Sequence, residues 1–146
     1  MMKLSTRGRY AMRIMVYLAM QNSDVPCRKQ EVADAESISA DYVEQILIRL
    51  KAAGLVTSHR GARGGFSLTQ APGAVTVADV LAATEGPLSL VSCSDEACQR
   101  ETVCVTQHIW RAAENALSEV FSGTTIADLA ESAAELAKSK SITYDI

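Results

Sequence analysis

Apolar residues recur along this chain at two different spacings, and the change of spacing divides it into elements. In residues 4–20, Ala11, Ile14, Met15 and Leu18 fall at three- and four-residue steps, which predicts a helix with one buried face. Ser5 or Thr6 is placed to cap its start. Asn22-Ser23-Asp24 breaks the pattern, and residues 28–35 predict a short second helix. Ser39 can cap a third, running to about Ala53, with Tyr42, Val43, Ile46, Leu47 and Leu50 on one face. Gly54 ends it. Two short helices joined by Glu36-Ser37-Ile38 make a helix-turn-helix. The spacing then shortens. Residues 55–59 and 65–69 read as strands joined by Arg60-Gly61-Ala62-Arg63-Gly64, a hairpin that predicts the wing of a winged helix.

Beyond Pro72-Gly73 the helical spacing returns. Thr76-Val77-Ala78-Asp79 resembles a capping box and opens a helix to about Glu85, stopped by Gly86-Pro87. Residues 88–103 have no sustained period and read as a loop. From 104 to 121 a long helix carries an apolar stripe of Val105, Ile109, Ala113, Ala116, Leu117, Val120 and Phe121. Gly123 ends it. Thr125-Ile126-Ala127-Asp128 repeats the capping pattern and opens a last helix through about Lys138, leaving a frayed tail. The predicted fold is mainly α: a winged helix-turn-helix with a small β-hairpin wing, and a C-terminal dimerisation helix. The expected division is residues 1–72, a winged helix-turn-helix domain of the kind that binds DNA, and residues 73–146, with the cysteine loop and dimerisation helices.

Charge changes the picture. The chain has 146 residues and a net charge of −3, an overall balance that does not favour a polyanionic partner. Residues 1–70, however, hold ten basic and six acidic residues, whereas residues 71–146 hold four and eleven. The basic first half is suited to face a polyanion and the acidic second half something else. The longest uninterrupted apolar run near the N-terminus, residues 14–20, is far short of the ~20 residues of a membrane span. A cytoplasmic protein without a membrane partner is expected, in a compartment where thiols stay reduced. Four cysteines there point to metal binding, redox sensing or burial before disulfides.

The outer face of the third predicted helix carries Asp41, Glu44, Gln45, Ile48 and Arg49, with Tyr42 beside them. A helix lying in a major groove needs such a face. Glu44 can accept from a cytosine amino group, Gln45 can pair with adenine, and Ile48 can meet a thymine methyl. Arg60 and Arg63 flank the glycine-rich wing tip, and a narrow minor groove attracts arginine by its negative potential. Thr6, Arg7, Arg9, Arg28 and Lys29 lie near helix starts, where phosphate contacts form. Each feature alone also describes an ordinary solvated surface. In combination they point to double-stranded DNA.

The second chemical feature is Cys93-x4-Cys98-x5-Cys104, three thiols in twelve residues, with His108 four positions further on. With Cys104 opening the long helix, His108 would lie one turn along on the same face. Soft sulfur donors select zinc, copper(I) or an iron–sulfur cluster. The wide spacing differs from the Cys-x2-Cys knuckles of structural zinc. A structural zinc site and a thiol redox switch stand as the alternatives. Cys27, remote in sequence, reads as a small buried residue. No nucleophile–base pair or phosphate-binding glycine loop suggests an enzyme.

The segments Leu4-Ser5-Thr6-Arg7-Gly8-Arg9-Tyr10-Ala11, Ile38-Ser39-Ala40-Asp41-Tyr42-Val43-Glu44-Gln45-Ile46-Leu47 and Ser58-His59-Arg60-Gly61-Ala62-Arg63-Gly64-Gly65-Phe66 resemble the IscR/NsrR-type winged-helix iron–sulfur transcription regulators. The three cysteines and the Trp110 region extend the likeness over nearly the whole chain. The resemblance implies a homodimer paired through the 104–121 helix, bound to a palindromic promoter site, with Glu44 reading bases and Arg60 in the minor groove. It implies a [2Fe–2S] cluster, or a [4Fe–4S] cluster, held by Cys93, Cys98 and Cys104, whose state controls DNA affinity. Gln107 stands where the IscR pattern has its ligand histidine, three residues after the last cysteine. The acidic ligand that NsrR-like members supply from the partner's first helix has no counterpart in Thr6-Arg7-Gly8-Arg9. His108 is the first candidate for the fourth ligand, ahead of another side chain or an exchangeable small molecule.

Overall fold

The computed structural model describes residues 3–21, 25–92, 98 and 102–143. Helix α1 (Thr6–Met20) begins at Ser5, whose hydroxyl accepts from the Gly8 amide. The four apolar positions read from the sequence, Ala11, Ile14, Met15 and Leu18, are all buried. Helices α2 (Lys29–Glu36) and α3 (Ala40–Ala52) are joined by a turn in which Ser37 takes the left-handed conformation. Ser39 caps α3 by accepting from the Tyr42 amide at 3.3 Å. Val43, Ile46, Leu47 and Leu50 have no solvent exposure. Gly54, at φ +75°, then takes the left-handed step that turns the chain out of the helix.

Strands β1 (Val56–His59) and β2 (Gly65–Leu68) pair antiparallel, Val56 opposite Leu68 and His59 opposite Gly65. The hairpin does not stand alone. Cys27 and Phe66 exchange backbone hydrogen bonds at 2.9 and 2.7 Å, so the residues before α2 form a partial third strand along β2. Gly65 is required for that approach: a Cβ there would lie 2.4 Å from the Cys27 carbonyl oxygen.

After a single 3₁₀ turn (Pro72–Ala74) come α4 (Val77–Glu85), α5 (Gln107–Gly123) and α6 (Ile126–Thr143). The two similar starts read from the sequence are genuine capping boxes. Asp79 accepts from the Thr76 amide and hydroxyl, and Asp128 does the same for Thr125. They also sit against each other: Val77 N–H donates to Thr124 O and Ile126 N–H to Val75 O, at 2.9 and 2.8 Å. Val75, Val80 and Ile126 join the residues of α1–α3 in one core, with α4 and α6 both packed on α1.

Two boundaries differ from the sequence expectation. Helix α5 starts at Gln107 rather than Cys104, because the chain makes a turn at Val105 and Thr106, and Thr106 O accepts the first helical amides. Cys104 is therefore not helical, and the expected one-turn stacking of His108 on Cys104 does not form. Helix α6 runs on to Thr143, where a frayed end was expected near Lys138. Its Ala- and Ser-rich sequence contains no Gly or Pro to stop it. Among the described residues no helix is long and apolar enough to cross a membrane.

Candidate nucleic-acid interface and cysteine loop

The core of α3 fixes which of its residues face outward. With Val43, Ile46, Leu47 and Leu50 buried, Asp41, Glu44, Gln45, Ile48 and Arg49 are all left exposed, as the helical wheel predicts. Ile48 is 62% exposed, an apolar group held in water with no core to fill. Tyr42 lies on the border: it is half-buried, its ring edge-on to Tyr10 with centroids 5.9 Å apart. Tyr10 in turn stacks against Arg13, which pairs with Glu36 at 2.8 Å. This chain of contacts locks the turn between α2 and α3 to α1.

The wing presents Arg60 and Arg63, both exposed, around a turn closed by Gly64 N–H to Gly61 O. Behind them His59 Nε2 bonds Ser67 Oγ at 2.8 Å, and Lys51 at the end of α3 donates to Ser58 at 2.6 Å. Thr6 and Arg9 are exposed on the first turn of α1, Arg9 donating to Thr6 at 3.5 Å. Arg7 is half-buried, with its Nε enclosed and without a hydrogen-bond partner among the described residues.

Arg28 is exposed but engaged, its guanidinium donating to the wing carbonyl of Ala62 at 2.8 Å. Its neighbour Lys29 pairs with Glu44 at 2.5 Å. The hydrogen bond to Glu44 holds the Lys29 ammonium above the ordinary lysine range, with further help from the charges of Glu44 and Asp41. Neither contact carries a local sequence signal, since the partners lie far apart in the chain.

Cys27 sits beneath the wing, 7% exposed. Burial, reinforced by the charge of Glu31, pushes its thiol up, which disfavours the nucleophilic thiolate. It is the small buried residue expected from the sequence.

Of the three clustered cysteines, Cys98 and Cys104 are half-buried, while Cys93 lies outside the described residues. Cys104 Sγ is 3.4 Å from Thr106 Oγ1, at the foot of α5. Among the described residues no three His, Cys, Asp or Glu side chains gather as a metal site. His108 is exposed on the first turn of α5, and Gln107 beside it is half-buried. The near end of the loop is anchored by Glu114, which accepts from the Leu90 amide at 2.7 Å. That acid, set among the apolar positions of α5, was not singled out in the sequence. It marks where the loop crosses the helix.

Helix α5 contains no fully buried residue. Ala113, Leu117 and Phe121 form a half-buried ridge, and α4 is the element packed on α5. Ile109, Trp110 and Val120 remain 53%, 39% and 62% exposed. Isolated surface apolar residues are ordinary, but these three leave α5 with an exposed apolar face.

The sequence matches the Rrf2 family, described as "Iron-dependent Transcriptional regulator", over residues 4–132. The transcriptional regulator CymR of Bacillus subtilis is 38% identical over 131 residues, 88% of this chain and 90% of that protein. The solved structure of CymR, the global cysteine regulator of B. subtilis, superposes with a TM-score of 0.78 at 37% identity, covering 90% of this chain and 98% of that one. The structure of T. potens IscR gives 0.76 at 31% identity, covering 92% and 90%. These relatives are transcriptional regulators rather than enzymes, and the winged-helix fold expected from the sequence is the one they share. The chain belongs to the Rrf2 family of transcriptional regulators.

Proposed function

We propose that this chain is a cytoplasmic homodimeric repressor whose affinity for palindromic promoter DNA follows the state of an iron–sulfur cluster held by Cys93, Cys98 and Cys104. The observation that carries this reading is the run of three thiols leading directly into α5, the helix with an unfinished apolar face. Thiolates at this density fit a soft metal centre, and Cys98 and Cys104 are sheltered without being fully enclosed. The likeness to IscR favours a cluster over zinc; CymR, named for cysteine regulation, is equally similar in fold, so the metal must be measured directly.

When bound, the cluster supplies a compact, oxidation-sensitive crosslink between thiolates. Cys98 and Cys104 hold the loop to the foot of α5, and Glu114 holds its other end at Leu90. Ile109, Trp110 and Val120 bury against a second copy and set the separation of the two recognition helices. His108, exposed beside Cys104 in sequence, is the first candidate for a fourth ligand. On DNA, Glu44, Gln45 and Ile48 face base edges, and Asp41 and Arg49 flank them. Arg60 and Arg63 enter a minor groove, and Thr6, Arg7 and Arg9 meet phosphates. Arg28 braces the wing tip through Ala62 O, and its remaining donors meet phosphate.

Anaerobic purification followed by absorption spectroscopy and iron and sulfide assays tests the metal centre. Coloured protein with iron and sulfide is expected, and Cys98→Ala should abolish the colour. Colourless protein with one zinc per chain would favour the structural-zinc reading. A chain that contains neither metal but binds DNA less tightly after mild oxidation would favour the thiol switch.

A further inference from the structure

Two adjacent cations at the start of α2 reach in different directions. Arg28 reaches the wing, through Ala62 O. Lys29 reaches the recognition helix, through the carboxylate of Glu44. The Lys29–Glu44 pair is exposed on both sides, 42% and 48%, and an exposed pair of this kind contributes little to folding. Its location is more telling, because it lies on the outward side of the two helices of the helix-turn-helix.

Glu44 is an acid on a surface that approaches a polyanion. Alone, its carboxylate adds repulsion and samples several rotamers. Held by an ammonium, it carries no net charge into the groove, and its second oxygen stays available to accept from a base amino group. A lysine ammonium has three donors on a compact charge, so one can hold Glu44 while another meets a phosphate oxygen. Exclusion of water on docking strengthens the attraction between the pair. Asp41, one turn back on α3, adds a second negative charge near the Lys29 ammonium.

We propose that Lys29 is a specificity-determining positioning residue, holding the Glu44 carboxylate neutralised and oriented for a base in the major groove. This rests on the reading of α3 as the recognition helix. It predicts that base preference, beyond overall affinity, depends on Lys29. A plain phosphate contact behaves differently: its loss weakens every sequence alike and is indifferent to Glu44.

The test uses the full-length chain and its Lys29→Met, Lys29→Arg, Glu44→Gln and Lys29→Met/Glu44→Gln variants. Each is selected on a duplex library randomised over roughly two turns of DNA, then titrated on the selected duplex and its single-base variants at two salt concentrations. Lys29→Met is expected to lose about tenfold of its discrimination at the base position that Glu44→Gln also disturbs. It should cost little more in the Glu44→Gln background, and Lys29→Arg should restore most of the loss. Melting temperatures should stay together, separating this effect from misfolding. The proposal is overturned if Lys29→Met weakens all duplexes equally and adds independently to Glu44→Gln. A wild-type chain that binds DNA with no sequence preference would remove the recognition-helix reading itself, and this proposal with it.

Discussion

Replacing Gly65 by alanine should damage this protein far more than a surface methyl group ordinarily does. The new Cβ would stand 2.4 Å from the Cys27 carbonyl oxygen, 2.6 Å from its carbon and 3.1 Å from the Arg28 nitrogen. All three are backbone atoms, so no side chain can swing away. Restoring an ordinary contact requires β2 and residues 27–28 to separate by about 1 Å, which takes the 2.9 and 2.7 Å Cys27–Phe66 hydrogen bonds beyond hydrogen-bonding range. Each lost bond costs about 0.5–1.5 kcal/mol, and the displaced half-buried Phe66 adds to it, for a total of about 2–4 kcal/mol. In a chain of this size that lowers the melting temperature by about 5–15 °C. The same shift moves Arg28 away from Ala62, so DNA binding should fall even where the protein remains folded. Thermal unfolding followed by circular dichroism measures the first effect, and titration with duplex DNA below the transition measures the second. Gly123→Ala is the comparator: its Cβ meets nothing within 4 Å, and its melting temperature should match wild type. A Gly65→Ala protein melting within about 2 °C of wild type, with unchanged DNA affinity, would refute the wing-to-α2 strand pairing.

Three further outcomes are expected. Leu50→Ala removes a side chain with no solvent exposure from the heart of the core and should lower stability by about 2–5 kcal/mol in urea denaturation. Ile109→Glu puts a charge on the exposed face of α5; sedimentation velocity should show dimers for the wild type and monomers for the variant, with the fold retained. Asp128 is held below the ordinary carboxylate range by hydrogen bonds from the Thr125 backbone, then from its hydroxyl. Its contribution to stability is therefore complete above that range and is lost as the pH falls through the depressed value. Thr125→Val should raise the Asp128 midpoint in a carboxyl-carbon NMR titration, and an unchanged midpoint would remove the hydroxyl from the account.

The elements legible in the sequence were those whose punctuation is local. Ser39 and Gly54 bracket α3, and Thr76 and Gly86 bracket α4, because a cap or a left-handed step is decided by a few consecutive residues. The outward face of α3 followed from its buried stripe. The start of α5 was misread because apolar Val105 continues the stripe by spacing alone, while the turn through Thr106 has no distinctive composition. The end of α6 was placed too early for the opposite reason: nothing in residues 139–143 stops a helix. What could not be read were contacts between remote segments. Arg28 reads as a phosphate ligand from its place near a helix start, and its contact with the wing carbonyl has no local signal. Lys29 reads the same way, and nothing local pairs it with Glu44, or Glu114 with the Leu90 amide. Of the candidate metal ligands, Cys98, Cys104 and His108 lie among the described residues without gathering as a site, and Cys93 lies outside them.

The bridge between Thr76 and Thr125 gives α5 a fixed end. Thr124 O and Ile126 N–H are both tied to the residues at the start of α4, beside the core shared with α1–α3, while the opposite end of the helix carries the cysteine segment. Seventeen residues at 1.5 Å each make an arm of about 25 Å between pivot and load. A displacement of about 2 Å at the cysteine end is a tilt of only about 5° at the hinge. A displacement at the cysteine end of α5 would thus reach its Thr124–Ile126 end as rotation, geared down by the length of the helix.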